Sequence, residues 1–581
     1  MNRRRFTGHA ASTGTAAGIL YRTDRAPSTM AEPIADPMAD PMVDPMADPM
    51  ADPMAEPVAD PIGRLTKAFD AVTAELRATA EKLRREDHTE QADIIEVIGF
   101  LAMDPDLRAL AIRHATDGAP LERAVRLAVD HHADTLAALP DPVLAERATD
   151  VRQVGKRVLA HLSGHHRAPV TDLPLILVAT EIGAADLLEP TLSVAAAASV
   201  TGGPNSHAAI IARSLGIPLL VGIDPAVLDH PDGAPVTIDG TGIVINPDPD
   251  EQAAARRTVL AARRRRELLA AERHLPARTT DHHPVTLRAN IATPAEAHTA
   301  MTANADGVGL LRTELPFLDA TEWPTEAQHA AVLRPILATL QGKPVTIRTL
   351  DYADDKLPPF LARASTGRLG RGLPLMLAEP DAFARQFRAI IRAAPDHDVR
   401  IMIPMVATPD ELHACQQILD RAAHELDTQP PPPLGIMVEL PEAVAAIDDL
   451  ARHADFLSIG TNDLTGQILG LDRRDPTLTP ELAAHPAVLR AIADTITAAH
   501  QHQRKVSVCG DAAAHPLVLP LLIGLDCDTL SVAPAALDQT RATIRRLDHS
   551  TCATTARTAL AHTDANQVWD TVRQHCAPEL P

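Results

Sequence analysis

Between residues 281 and 570 eight short apolar runs recur, each separated from the next by a helix-like stretch: "VTLRANIA", "DGVGLLRTE", "PVTIRTLD", "RIMIPMVA", "LGIMVELP", "DFLSIGTND", "KVSVCGD" and "DTLSVAP". Runs that are apolar at most positions suit strands covered on both faces, and strands joined through helical crossovers pair in parallel. A (β/α)8 barrel takes about 250 residues, so this stretch is long enough to close one. The pattern therefore predicts a TIM-type barrel. Polar residues gather at the C-terminal ends of the runs, the rim on which such barrels place their active sites.

The chain upstream changes character in steps. Its 581 residues leave room for several domains at ~150 residues each. Residues 31 to 62 are eight tetrads of the Ala-Asp-Pro-Met type, with eight acidic residues and no basic one. Proline at every fourth position forbids a helix ladder, so the tract reads as an extended, solvated spacer. From about 64 to 165 apolar residues recur three and four apart, as in "RLTKAFDAVTAELRATAEKLRRE", and predict a helical bundle. Residues 166 to 250 alternate short apolar runs with turn residues and read as a compact α/β or β-rich module. The charged stretch "DEQAAARRTVLAARRRRELLAAERH" reads as a linker helix with a solvated arginine face.

Composition excludes several classes. A formal net charge of −22 argues against a general grip on nucleic acid. Five cysteines, at 415, 509, 527, 552 and 576, make no CxxC spacing and suit a reduced cytosol. No run of about 18 apolar residues predicts membrane insertion. The opening "MNRRRFTGHAASTGTAAGIL" loosely resembles a twin-arginine export leader, but its central region is too polar for one. A cytoplasmic protein is expected.

Two constellations carry chemistry. In "TGGPNSHAAIIARSLGIPLLVG" the glycines let the backbone approach a ligand, Asn205 or Ser206 can cap, and a helix starting near His207 turns free N–H groups outward. That is an anion site, and a neutral histidine at its mouth can take a phosphoryl group through one ring nitrogen. In the barrel segment Glu439 and Asp463 end two strand candidates and supply the hard oxygens that Mg²⁺ prefers. Arg312, Arg348 and Arg473 fall at or just after strand ends, where guanidinium forks suit a substrate carrying phosphate and carboxylate. Cys509 ends another strand at the same rim, placed to donate a proton. Taken singly, each of these residues also has a plain structural role open to it, as a helix cap, an ion-pair partner or a small buried side chain.

These blocks, "GGPNSHAAIIARSLGIPLLVG", "GLLRTELPF", "IRTLDYADDK", "GIMVELPEA", "FLSIGTNDLTGQILGLDR" and "VCGD", resemble in order the signatures of enzyme I of the phosphoenolpyruvate:sugar phosphotransferase system, among the PEP-utilising enzymes. "GHAASTGTAAGILY", "MDPDLRA" and "DTLSVAP" extend the resemblance over nearly the whole chain apart from the tetrads. It implies a phosphohistidine swivelling α/β domain, made of a first-strand region (1–22) and residues 166–250. Within it are inserted the low-complexity segment 23–63 and a helical domain (64–165) on which the carrier HPr docks. A linker helix (251–280), a phosphoenolpyruvate-binding barrel (281–570) and a tail (571–581) follow.

The resemblance further implies that His207 is the phosphorylated nucleophile, that Arg312, Arg348, Lys356, Asn462, Asp463 and Arg473 hold phosphoenolpyruvate, and that Glu439 and Asp463 bind Mg²⁺. Cys509 would protonate the enolate, Arg371 in "LGRGLPL" would join the substrate shell, and a homodimer would form through the barrel. The activity implied is the first step of sugar uptake by that system.

Several positions depart from the family pattern: Ala208 replaces a threonine, Pro374 stands where a second arginine is usual, Gly466 and Gln467 replace Gln-Tyr, and Ile98 lies where a histidine is frequent. A dikinase or phosphoenolpyruvate synthase shares the phosphohistidine module and barrel but needs an ATP-grasp domain, for which the first 165 residues are too short. The remaining alternative is a regulatory paralogue that binds partners with little turnover. Against it stand His207, Cys509, Glu439 and Asp463, which a pure binding module does not need.

Overall fold

The computed structural model describes residues 3–23, 60–85, 89–138, 142–163, 171, 173–189, 192–203, 206–318, 320–352, 358–364, 372–395, 397–472, 475 and 477–576. The chain divides into two compact units, Met1–Arg265 and Arg266–Pro581.

The first unit is built on an eight-stranded sheet. Its strands are β1 (Arg4–Thr7), β2 (His9–Ser12), β3 (Ala16–Arg22), β4 (Leu175–Ala179), β5 (Val194–Ser199), β6 (Leu219–Val221), β7 (Pro235–Asp239) and β8 (Gly242–Ile245). They run in the order β1-β8-β7-β3-β4-β5-β6-β2. The opening segment, expected as one strand, is three. Its arginines have structural partners: Arg3 Nη2 lies 2.6 Å from Glu251 Oε1 and Arg5 Nη2 lies 2.9 Å from Asp239 Oδ2.

Between β3 and β4 come five helices, α1 (Pro61–Arg85), α2 (Thr89–Ala102), α3 (Pro105–Thr116), α4 (Leu121–Ala137) and α5 (Pro142–Ser163). Residues 60–62, the described part of the last tetrad, do not stay extended. Asp60 accepts a 2.8 Å hydrogen bond from the Gly63 amide and Pro61 opens α1, because a proline at the first helical position forfeits only an amide with no helical partner. Tetrad residues 31–59 lie outside the described residues.

Side chains alternate across a strand, and here the alternation assigns two cores. Leu175, Leu177 and Ala179 of β4 pack with Leu65, Phe69, Val72 and Val151 of the helices. Ile176 and Val178 turn to the other face, with Val236 and Ile238 of β7. Ile98 is fully buried in the helical core. Two further helices, α6 (Ala184–Leu187) and α7 (His207–Leu215), precede β5 and β6 respectively. The helix α8 (Pro249–Ala271) has no buried residue, as its charged composition predicts.

The second unit is the expected barrel. Strands β9 (Thr286–Ile291), β10 (Val308–Leu311), β11 (Val345–Arg348), β12 (Val399–Ile403), β13 (Leu434–Val438), β14 (Phe456–Ile459), β15 (Lys505–Val508) and β16 (Thr529–Val532) close on themselves. Every neighbouring pair is parallel, and β16 meets β9 with Thr529 opposite Thr286. All eight apolar runs thus become strands. Leu310, Met402, Met437, Phe456 and Cys509 form a small apolar cluster apart from the main core between strands and helices.

Candidate active site

Polar residues that follow a barrel strand are carried to one rim by geometry alone, because all eight strands point the same way. Arg312 follows β10, Arg348 ends β11, Glu439 follows β13 and Cys509 follows β15. Asn462 and Asp463 lie in the first turn of the helix Thr461–Leu469, directly after β14. These six residues share the wall of one open cavity of about 240 Å³. Gly510 belongs to the same construction: a Cβ there would sit 1.8 Å from Thr461 Oγ1, so only glycine allows the two strand ends to approach this closely. Lys356, Arg371 and Arg473 lie outside the described residues.

The cavity also has residues that the motifs contained but that the sequence reading did not single out. Arg348 is buried, with Nη2 2.6 Å from Glu314 Oε1 and Nη1 2.7 Å from Asp351 Oδ2. Burial alone would lower its pKa, but Glu314, Asp351 and Glu439 outweigh that and hold it above its ordinary value. Glu314 is fixed in turn, accepting a 3.0 Å hydrogen bond from the Thr313 amide. The Thr313 hydroxyl donates to Arg348 O and accepts from Gln386 Nε2. Both carboxylates sat inside "GLLRTELPF" and "IRTLDYADDK", and the signal available was an acid two or three positions after each rim arginine.

Charge is unbalanced at this rim. Four carboxylates, Glu314, Asp351, Glu439 and Asp463, face the cavity with two arginines, Arg312 and Arg348. Glu439 is 1% exposed; its Oε1 accepts a 2.7 Å hydrogen bond from the Met405 amide, while Oε2 is buried without a partner. Burial first, then Asp351 and Asp463, push its pKa well above the usual carboxylate range. An orphaned buried carboxylate oxygen beside a second carboxylate fits a hard divalent cation. Arg312 is exposed and makes no ion pair among the described residues, which leaves its fork available to an anion. Burial raises the Cys509 thiol to about 11, so it is protonated at neutral pH.

His207 is in the first unit. It is the first residue of α7, and Ser206 caps the helix by accepting from the Ala209 amide at 3.3 Å. Gly202, with φ of 120°, makes the turn that leads into it, a conformation open to glycine and costly for other residues. Asn205, the alternative cap, lies outside the described residues. A partner that the sequence did not suggest comes from α5: Asp150 Oδ2 lies 3.4 Å from His207 Nδ1 and 3.1 Å from Arg147 Nη1. Asp150 is 2% exposed. With Nδ1 facing a carboxylate, the proton belongs on Nδ1 and the lone pair on Nε2. The helix core explains Ala208, which is 3% exposed and packs with Leu219 and Val221.

A parallel barrel with an acid-rich, arginine-lined rim, joined to a sheet that presents a histidine at a helix start, defines a class. Family models described as "PEP-utilising enzyme, N-terminal", "PEP-utilising enzyme, mobile domain" and "PEP-utilising enzyme, PEP-binding domain" match residues 7–147, 172–242 and 266–549. Relatives narrow this further. The chain is 34% identical over 516 residues to the phosphoenolpyruvate-protein phosphotransferase of Streptomyces coelicolor, covering 87% of this chain and 90% of that one. It is 38% identical over 576 residues to a multiphosphoryl transfer protein of Xanthomonas campestris pv. campestris, covering 97% of this chain. It is 39% identical over 476 residues to a multiphosphoryl transfer protein of Rhodobacter capsulatus, covering 80% of this chain. The chain spans 66% and 57% of the length of these two multiphosphoryl transfer proteins. It belongs to the phosphoenolpyruvate-protein phosphotransferase family of PEP-utilising enzymes.

Proposed function

We propose that the chain takes the phosphoryl group of phosphoenolpyruvate onto His207, releases pyruvate and passes the group to a histidine of an HPr-like carrier, the first step of sugar uptake by the phosphotransferase system. The observation that carries this reading is the barrel cavity, where Arg312, Arg348, Glu439, Asn462, Asp463 and Cys509 share one wall.

Arg312 and Arg348 take the carboxylate and phosphate of the substrate, and Arg348 is held for that task by Glu314 and Asp351. Asn462, whose amide Nδ2 donates at 3.0 Å to Asp511, adds a hydrogen-bonding group at the same edge. Lys356, Arg371 and Arg473 complete the substrate shell in this reading. Glu439 and Asp463 would hold Mg²⁺, which would supply positive charge to offset that of the bound anion.

His207 Nε2 attacks phosphorus in line, a P–N bond forms, and the P–O bond to the enolate breaks with its electron pair on oxygen. Asp150 positions the ring by facing Nδ1 and stabilises the charge that develops on it. The enolate collapses to its keto form as its methylene carbon takes the proton of Cys509, and the thiolate recovers a proton from water. A thiol held near 11 keeps its proton until a strongly basic carbon arrives.

Carrier docking on the helices α1 to α5 is supported by exposed apolar residues, Ile62, Phe100 and Leu127 on the helices and Met103 in the turn after α2, with Phe100 56% exposed. The reading includes a homodimer through the barrel, checked by sedimentation, and action in the cytoplasm. No helix among the described residues is long and apolar enough to cross a membrane.

The test is incubation of the full chain with labelled phosphoenolpyruvate and Mg²⁺, beside His207→Ala, followed by addition of HPr. Acid-labile label is expected on the wild type alone, with transfer to HPr. Absence of label on the wild type defeats the enzymatic reading and favours a regulatory role; label that never leaves for HPr defeats the choice of carrier.

A further inference from the structure

At the opposite, N-terminal rim of the barrel, three side chains from distant parts of the chain converge. His283 lies just before β9, Asp526 just before β16, and His549 opens the helix His549–Leu560. Each offers one donor atom, and the three atoms all lie within 4.8 Å of one another. The imidazoles are stacked with centroids 3.9 Å apart and planes 3° from parallel, and His549 Nε2 lies 2.7 Å from Asp526 Oδ1. We propose that His283, Asp526 and His549 form a binding site for one borderline transition-metal cation of the Zn²⁺ class, clamping the seam where the barrel closes.

The donor set selects the ion. Two imidazole nitrogens and one carboxylate oxygen suit Zn²⁺, Co²⁺ or Ni²⁺ rather than Mg²⁺ or Ca²⁺, which prefer oxygen. Three protein ligands leave the fourth tetrahedral position to water, and the Asp526 side chain is 58% exposed, so solvent reaches the site. Bonds of about 2.0–2.2 Å to each donor need the three atoms, now within 4.8 Å of one another, to draw together when the ion binds. Imidazole lone pairs lie in the ring plane and the two planes are parallel, so binding requires one ring to turn about its Cβ–Cγ bond and give up the stack.

The surroundings are anionic as well. Asp281 accepts hydrogen bonds from the His549 and Ser550 amides at 3.0 and 3.2 Å, which anchors the backbone that carries one ligand. Asp281, Asp526 and Asp528 all act on the His283 ring. Asp528 is balanced by Lys505 Nζ at 2.6 Å and faces His500 Nε2 at 2.9 Å. The two acids nearest the pair of histidines, Asp281 and Asp526, have no lysine or arginine partner among the described ion pairs.

The place gives the ion something to do. β9 and β16 are the first and last strands of the barrel, and Thr286 faces Thr529 where they pair. An ion held by His283 and Asp526 ties the entries of these two strands, and His549 adds the helix that follows. The site is a structural clamp, remote from the cavity at the other rim and independent of the reaction proposed there.

The test titrates Zn²⁺ alone, by calorimetry, into the full chain already saturated with Mg²⁺, beside the double variant His283→Gln/His549→Gln. The wild type is expected to bind one more equivalent than the variant and to melt at a higher temperature with Zn²⁺, a shift the variant lacks. Co²⁺ in place of Zn²⁺ should give the intense visible bands of a tetrahedral site in the wild type only. Equal stoichiometry in two folded proteins overturns the proposal. Should the double variant fail to fold, Asp526→Asn decides: asparagine tolerates the positive φ of 63° at this position, and an unchanged Zn²⁺ affinity overturns the proposal, whereas a loss of tenfold or more supports it.

Discussion

At the barrel rim charge is buried and gripped: Arg348 is 8% exposed and held by two carboxylates, and Glu439 is more deeply enclosed still. At the start of α7 a single histidine stands at the end of a short helix, against one buried carboxylate from α5 and behind a glycine turn. The contrast fits what the proposed reaction asks of each site. Groups that stabilise developing charge work best when fixed in advance and shielded from water. A nucleophile that receives a group from one partner and gives it to another has to stay accessible, so its surroundings orient it without enclosing it. Breaking the rim's buried charge pairs should therefore cost stability, whereas mutations around His207 should cost mainly rate.

The largest departure should come from Cys509, the proton source of the proposed reaction. Cys509→Ala should slow pyruvate formation by about 10²–10⁴-fold, the usual contribution of a positioned acid, while substrate binding persists. Single-turnover pyruvate release beside a binding titration checks this, and an unchanged rate removes Cys509 from the mechanism.

Next, Arg348→Met should lower the unfolding free energy of the barrel by about 3–5 kcal/mol, because it leaves Glu314 and Asp351 buried without their cation. Denaturant unfolding measures it. A loss under ~1 kcal/mol would mean that the rim is not held by buried charge and would erase the contrast drawn above.

Acid should weaken the barrel through a group away from the cavity. His329, packed edge-on against Phe317, is 2% exposed, and burial, then Arg385, lowers its pKa to about 4. The unfolded chain binds a proton that the folded chain refuses, so the contribution is fully present above about pH 6.5 and is lost as pH falls toward 4. About 3.5 kcal/mol is at stake over that interval, at ~1.4 kcal/mol per unit. Unfolding curves between pH 7 and 4.5 should show the loss, and His329→Phe should flatten it.

The smallest effect is expected at His207. Asp150→Asn should slow labelling by roughly tenfold, or ~1.4 kcal/mol, because the carboxylate 3.4 Å from Nδ1 loses the charge that would meet the one developing on the ring, and should move the unfolding midpoint little. A stability loss as large as that of Arg348→Met would make Asp150 a structural residue rather than one that positions the ring.

The eight strands were legible because each is a local signal, an apolar run bounded by turn residues, and parallel pairing then sends the following residues to one rim. That is why Arg312, Arg348, Glu439, Asp463 and Cys509 were named from their place after strands; Asn462 was named from the family resemblance, and all six meet in one cavity. The opening strand was less legible. In "GHAASTGTAAGILY" the cluster Ser12-Thr13-Gly14-Thr15 is a turn signal that the reading of one strand passed over, and the sheet uses the two sides of it as separate strands at distant positions, with β2 on β6 and β3 between β7 and β4.

The sequence by itself determined the order of elements, the direction of the barrel strands, the helix start at His207 and the identity of the rim residues, because side-chain period, turn chemistry and capping act over a few positions. Only the tertiary structure decided who faces whom. It set Glu314 and Asp351 on Arg348, left one oxygen of Glu439 without a partner, and brought Asp150 of α5 to the nitrogen of His207. It also gathered His283, Asp526 and His549 at the closing seam. Such pairs depend on which strands become neighbours and on the direction each side chain takes from its backbone, and spacing along the chain encodes neither.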